Sequence, residues 1–181
     1  MTEGTENSEK SFEHLFQGDE WDFPVDIAIA HPAADEIRRR MERAGWPDEE
    51  LMMVDVAIEE AIKNAFIHGT IVIGPLPEDK SKAEVVQQKL AAGVPEKLVH
   101  VSVLVSPDEV RIRVRDEGEG FDWKKVADPL LPENLLKNAG RGIFFMKTGF
   151  DAVEYNEKGN EVTLIKKRKS SKAVSAPQNG Q

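Results

Sequence analysis

Two segments, "LVHVSVLV" and "EVRIRVRDEG", lie either side of "SPD" and read as the two strands of a hairpin with good turn residues. A second hairpin closes the chain, with "AVEYN" and "EVTLIKK" flanking "EKGN". Hairpins commit the chain to an antiparallel-rich sheet, and such a sheet buries one face under helices. The remaining segments supply them. "HPAADEIRRRMERAG" carries Pro32 near a helix start and Gly45 at its stop, which predicts a helix over Ala33–Ala44. Pro47, Asp48, Glu49 and Glu50 then open a second helix, as acidic residues suit a helix N-terminus. Its apolar stripe runs through Leu51, Val54, Ala57, Ile58, Ala61, Ile62 and Ala65, and Gly69 ends it. Ahead of both, "VDIAIA" (25–30) alternates apolar and polar residues and predicts a further strand. The order of elements gives an α+β fold: a two-layer sandwich of a mixed, mostly antiparallel sheet with helices on one face.

The second helix has a peculiarity. Within "IEEAIKNAFIHG", Glu60, Asn64 and His68 recur every fourth position and so share a face. A solvent-facing stripe is the plain explanation of such a row. Against it, Glu60 and Asn64 sit among Ala57, Ile58, Ala61, Ile62, Ala65 and Phe66, which leave little room for a broad wet face. A carboxylate and an amide also suit a hard cation, the amide oxygen ligating Mg²⁺ while the Glu handles a proton. Glu59 points about 100° away from Glu60 and is expected at the surface. His68 is read as a structural residue at the helix end.

Two glycine-containing stretches add to this. In "RDEGEGF", Asp116, Gly118 and Gly120 follow a strand. Glycines so spaced admit close approach of a flat ligand, and a carboxylate beside them can accept a hydrogen bond from an exocyclic amine such as that of adenine. A strand ending in a turn would look the same. In "NAGRGIFFM", Gly140 and Gly142 precede a helix, which is either an ordinary glycine-rich entry or an anion site with N–H groups aimed outward. Between them the polar, Pro-containing stretch 121–139 is too long for a tight turn and is expected to be a lid.

An E-x-x-x-N helix, a strand ending D-x-G-x-G, and a loop ending G-x-G before another helix, in that order, resemble the nucleotide-binding boxes of the GHKL (histidine-kinase-like) ATPases. The resemblance spans Val25 to Lys167. Within that superfamily "EEAIKNAFIHG", "VRDEGEGFDW", "DPLLPENLLKNAGRGIFFM" and "GNEVTLIKKR" are most similar to the anti-sigma-factor serine kinases of the RsbW type. The resemblance implies a Bergerat-type fold with ATP and Mg²⁺. It makes Glu60 the general base acting on a partner's serine and Asn64 the Mg²⁺ ligand. Asp116 becomes the partner of the adenine amino group, and Gly118 and Gly120 the floor of the purine pocket. Gly140, Arg141 and Gly142 become the phosphate-contacting turn. Lys137 and Arg141 are its two candidate cations for the γ-phosphate. Asn160 stands where many superfamily members carry Thr, and is expected to contact the nucleotide in its place. The implied partners are a sigma factor and an anti-anti-sigma protein of the STAS type, and the implied assembly is a homodimer.

Composition bounds the alternatives. The 181 residues suffice for one core, and a formal net charge of −9 argues against nucleic-acid binding, which needs a basic surface. With no cysteine, disulfides and thiolate metal sites are excluded, and no apolar run is long enough to cross a bilayer, so a cytoplasmic location is expected. Residues 1–22 are expected to form an acidic tail, 23–167 the ATP-binding domain with 70–98 as an insertion carrying a short exposed helix, and 168–181 a basic tail. Neither G-x-x-x-x-G-K-[ST] nor an H-R-D segment occurs, so a Walker-type cradle and an ordinary protein-kinase catalytic loop are excluded. The competing function is a nucleotide-gated binding protein that sequesters a regulator without phosphotransfer. Trp21, Trp46 and Trp123 are expected to pack at element edges.

Overall fold

The computed structural model describes residues 11–72, 77, 79–126 and 141–169. Its sheet has five strands in the order β1-β2-β3-β5-β4: β1 Glu20–Phe23, β2 Val99–Val105, β3 Glu109–Asp116, β4 Ala152–Tyr155 and β5 Glu161–Lys167. Both hairpins form as the turn residues require. Every strand pairing is antiparallel, so the expected mixed sheet is corrected to a wholly antiparallel one among the described residues. The register sets one face inward. Val101, Val103, Val110, Ile112, Val114 and Leu164 are buried, while Arg111, Arg113 and Arg115 alternate with them on the open face.

Helices α1 (Ala30–Arg43), α2 (Asp48–Asn64) and α4 (Arg141–Gly149) cover the buried face. Ile37 and Met41 of α1, Val54, Ile58 and Ile62 of α2 and Met146 of α4 join the strand residues in one apolar cluster. Each fully buried aliphatic side chain there contributes about 1.5–3 kcal/mol. Helix α3 (Lys82–Ala92) lies in the expected insertion and starts at a capping box between Ser81 and Glu84. It seats Val86 against Ile67 and Ile71 in a small separate cluster.

Two expectations at the N-terminus are corrected. Residues 25–30 do not form a strand. Asp26 accepts a hydrogen bond from the Ala28 N–H, and Ile27–Ile29 make a 3₁₀ turn that runs directly into α1, three residues earlier than expected. Pro32 is accommodated inside the first turn of α1, where a proline is tolerated best. The expected tail over 1–22 also ends sooner. In "EWDF" Trp21 and Phe23 are 2% and 0% exposed and alternate with outward acids, and Phe12, Leu15 and Phe16 pack on the core before them. At the other end, Arg168 hydrogen-bonds the Gly45 carbonyl at 2.6 Å and is part of the fold rather than the start of a tail.

Candidate active site

Helix α2 is the middle helix of the layer, packed against both α1 and α4. Close approach to α4 depends on Gly149, where a Cβ would stand 2.7 Å from the Met53 carbonyl oxygen and 2.9 Å from the Ala57 Cβ. At the other end of α4, a Cβ on Gly142 would stand 2.6 Å from Asn64 Nδ2 and 3.0 Å from Glu60 Oε2. The first turn of α4 therefore meets Glu60 and Asn64 together. The Gly142 main chain thus lies beside a carboxylate and an amide. Glu59 is turned elsewhere, pairing with Lys63 and, at 3.3 Å, with His31 on α1.

The row does not extend to His68. After Asn64 the chain continues in a π-helical turn, Ala65–Thr70, closed by the Ile71 N–H on the Phe66 carbonyl at 2.8 Å. The wider turn takes a residue four positions on out of line with Glu60 and Asn64. His68 is exposed at its rim, yet desolvation of its ring, helped by the Lys82 ammonium, lowers its pKa. The helix also passes through Gly69 instead of ending there, and brings it onto Asp116: a Cβ on Gly69 would stand 2.1 Å from the Asp116 Cγ.

Asp116 ends β3 in a nearly closed environment, 9% exposed. Burial raises its pKa, and the Gly118 N–H, donating to Oδ1 at 2.8 Å, acts in the opposite direction. Gly118 is compelled to be glycine: a Cβ would stand 2.3 Å from the Gly69 carbonyl oxygen. Gly120, at φ +76°, serves the fold more directly, since its Cβ would stand 2.0 Å from the Lys158 carbonyl oxygen. Asn160 is likewise engaged inside the protein. Its Nδ2 donates to the Asp116 carbonyl at 2.7 Å and its Oδ1 accepts from Asn156 at 2.9 Å.

Asn156 was not expected to matter. Its Oδ1 also accepts from the Gly159 and Asn160 N–H groups at 2.7 and 3.1 Å, so it organises the turn on which Asn160 sits. The signal was present in "NEKGN", an Asn heading a tight turn with Gly. Phe121 and Trp123 at the lid's start pack on Tyr155, whose phenol burial pushes up to about 12. Lys137, Gly140 and the part of the expected lid from 127 to 139 lie outside the described residues. A groove of about 580 Å³ between α1 and β2 is a different place. Its Arg40, Arg43 and Arg111 are all paired with carboxylates, which leaves no cation committed to phosphate.

Residues 87–166 match the histidine kinase-like ATPase domain. The chain is 31% identical over 133 residues to an anti-sigma F factor of Bacillus cytotoxicus, an alignment covering 70% of this chain and 75% of that one. The chain belongs to the anti-sigma-factor family of histidine kinase-like ATPases. An anti-sigma F factor of Clostridium perfringens is 30% identical over 126 residues, covering 67% of this chain and 74% of that protein. Another, from Oceanobacillus iheyensis, is 28% identical over 133 residues, covering 70% and 75%.

For a member of this family the ligand to be tested against the site is ATP with a divalent metal. The residues fit. Gly118 and Gly142 stand where a side chain would collide with Asp116, Asn64 and Glu60, so main chain comes close to all three polar groups. No group of three or more acidic or imidazole side chains able to hold a metal exists among the described residues. A metal here would therefore take Asn64 as protein ligand and draw its other oxygens from phosphate and water, as Mg²⁺ commonly does. No helix among the described residues is long and apolar enough to cross a membrane.

Proposed function

We propose that the chain is an ATP-dependent protein-serine kinase and anti-sigma factor, which phosphorylates a STAS-type anti-anti-sigma protein and holds a sigma factor inactive. The observation that carries this reading is the convergence of Glu60, Asn64 and the first turn of α4 on one place. Phosphoryl transfer asks for positioning and charge neutralisation, with one base for the incoming hydroxyl. Asn64 would hold Mg²⁺, which screens the triphosphate. Asp116 would take the adenine amino group through its carboxylate, on a floor made by the Gly118 main chain. Arg141 and Gly142 would contact the phosphates, with Lys137 and Gly140, outside the described residues, as the further candidates the family resemblance supplies.

In this arrangement Glu60 accepts the proton of the partner's serine as the Oγ attacks the γ-phosphorus. The bond between that phosphorus and the β–γ bridging oxygen breaks, and ADP leaves with the electron pair. Asn160 supports the site at one remove, through the Asp116 main chain. The names of the relatives support the sigma-factor side of the proposal, and a homodimeric assembly and cytoplasmic location go with it.

The test is transfer from γ-labelled ATP with Mg²⁺ to a purified STAS-type protein from the same host, wild type against Glu60→Gln. Label on a serine of the STAS protein with wild type alone supports the kinase. ATP binding by both forms with no label transferred means a nucleotide-gated binder.

A further inference from the structure

The turn that carries Asp116 is tied to the edge of the sheet by a side chain with no part in the scheme above. His100 stands on the open face of β2, opposite Asp22 of β1 and Arg115 of β3. Its Nδ1 is 2.6 Å from Asp22 Oδ1, and its Nε2 is 3.2 Å from Oε1 of Glu117. Glu117 lies between Asp116 and Gly118, and its Oε2 accepts from the Leu98 N–H at 3.1 Å. One side chain thus links β1, β2 and the turn that follows β3.

Both ring nitrogens of His100 face carboxylate oxygens, which at neutral pH only accept. A neutral imidazole has a single N–H, so its second nitrogen would set a lone pair against a carboxylate. Only the imidazolium satisfies both neighbours. The charged groups around the ring are Asp22 on β1, Arg115 on β3 and Glu117 on the turn, with Glu20 and Arg113 one step further along the same face. Two of the three nearest are anions. We propose that His100 is a positioning residue for nucleotide: as the imidazolium it clips Glu117, and with it the Asp116–Gly118 turn, to the sheet edge. The proposal rests on Asp116 being the adenine partner.

The sign follows from the two distances. On deprotonation the shorter contact, to Asp22, keeps the remaining N–H, and the Nε2 lone pair repels Glu117. The Glu117 side chain then retains the Leu98 anchor alone. In agreement, the Leu98 N–H first and His100 second hold the Glu117 carboxyl below its ordinary range. Loss of the ring proton therefore lowers nucleotide affinity.

The experiment measures binding of a fluorescent ADP analogue with Mg²⁺ to the full chain from about pH 5.5 to about pH 8.5, the range over which imidazole side chains as a class change charge. Wild type is compared with His100→Gln and Glu117→Gln, each checked by thermal melting. Taking the ratio of wild-type to variant affinity at each pH cancels the titration of the nucleotide itself. The ratio is expected to fall about two- to fivefold across the range, the size of one solvent-exposed charged contact. In the nucleotide-free protein, the Gly118 amide is expected to lose protection from hydrogen exchange over the same range in wild type only. A ratio constant with pH overturns the clip and leaves the functional reading standing. No nucleotide binding by wild type at any pH overturns both.

Discussion

Gly142→Ala is the substitution that bears most directly on the proposed site. The added methyl would stand 2.6 Å from Asn64 Nδ2 and 3.0 Å from Glu60 Oε2. Ordinary non-bonded contact begins near about 3.5 Å, so Asn64 must retreat by roughly 0.9 Å and Glu60 by roughly half that. A displacement of about 1 Å at a reacting centre costs on the order of a hundredfold in rate. The same methyl does not harm the fold. Gly142 lies in the first turn of α4, and alanine is up to about 1 kcal/mol better than glycine in a helix. The variant is expected to melt no lower than wild type while losing about a hundredfold in phosphotransfer, measured with γ-labelled ATP and a STAS-type substrate. Gly149→Ala is the control on the same helix. Its methyl meets the Met53 carbonyl oxygen at 2.7 Å in the α2–α4 contact, so it should lower stability by about 1–3 kcal/mol and leave transfer per folded molecule near wild type. If Gly142→Ala transfers phosphate at the wild-type rate, the reacting groups are not at Glu60 and Asn64.

Other substitutions separate binding from chemistry and from folding. Glu60→Gln keeps the shape of the side chain and should leave nucleotide affinity, read by calorimetry, within about twofold while abolishing transfer; a large loss of affinity would move Glu60 from base to ligand contact. Asp116→Asn should weaken nucleotide binding by about tenfold or more, since in the proposed site it replaces the carboxylate acceptor for the adenine amine by a neutral amide. Its effect on stability runs the other way. Burial raises the Asp116 pKa, so the folded state binds the proton more tightly than the unfolded chain. The penalty of the buried charge therefore grows as pH rises past the ordinary carboxylate value and is complete above the raised one. Relieved of it, Asp116→Asn should melt at or above wild type at pH 7 and show no advantage in acid, where wild type is also neutral. Asn160→Ala removes the donor to the Asp116 carbonyl and the acceptor for Asn156, both buried or nearly so, and should cost about 1–3 kcal/mol in denaturant melts.

Much of this was legible in the sequence because it is periodic. Hairpins, α2 and α3 follow from alternation, apolar spacing and caps, which act over a few residues. Failures occurred where a longer-range contact decided. "VDIAIA" alternates well enough for a strand, but Asp26 captures the Ala28 N–H and commits the segment to a helical entry. "EWDF" was hidden by the acidic composition around it, although its two aromatics occupy inward positions beside Val101 and Val99 of β2. The site was legible in part for a similar reason. Motif spacing marked Glu60, Asn64, Asp116, Gly118 and Gly142, and the structure brings these into two clusters, Gly142 with Glu60 and Asn64, and Gly118 with Asp116. The roles of Gly69, Asn156 and His100 depend on which segments cross each other, and single positions carry no trace of that.

Around Asp116 the fold itself holds the polar groups in place. Asp116 is buried at an electrostatic cost, and the fold meets that cost only in part, with the Gly118 N–H on one oxygen. A protein needing the position only for stability would be better served there by Asn or an apolar residue. The surroundings are correspondingly rigid. Gly69 and Gly118 permit contacts that any side chain would break, and Asn160 and Asn156 lock the neighbouring turn through four hydrogen bonds. A buried carboxylate in so constrained a frame suits the proposed recognition of an amine, because a donor that reached it would meet a group already in position.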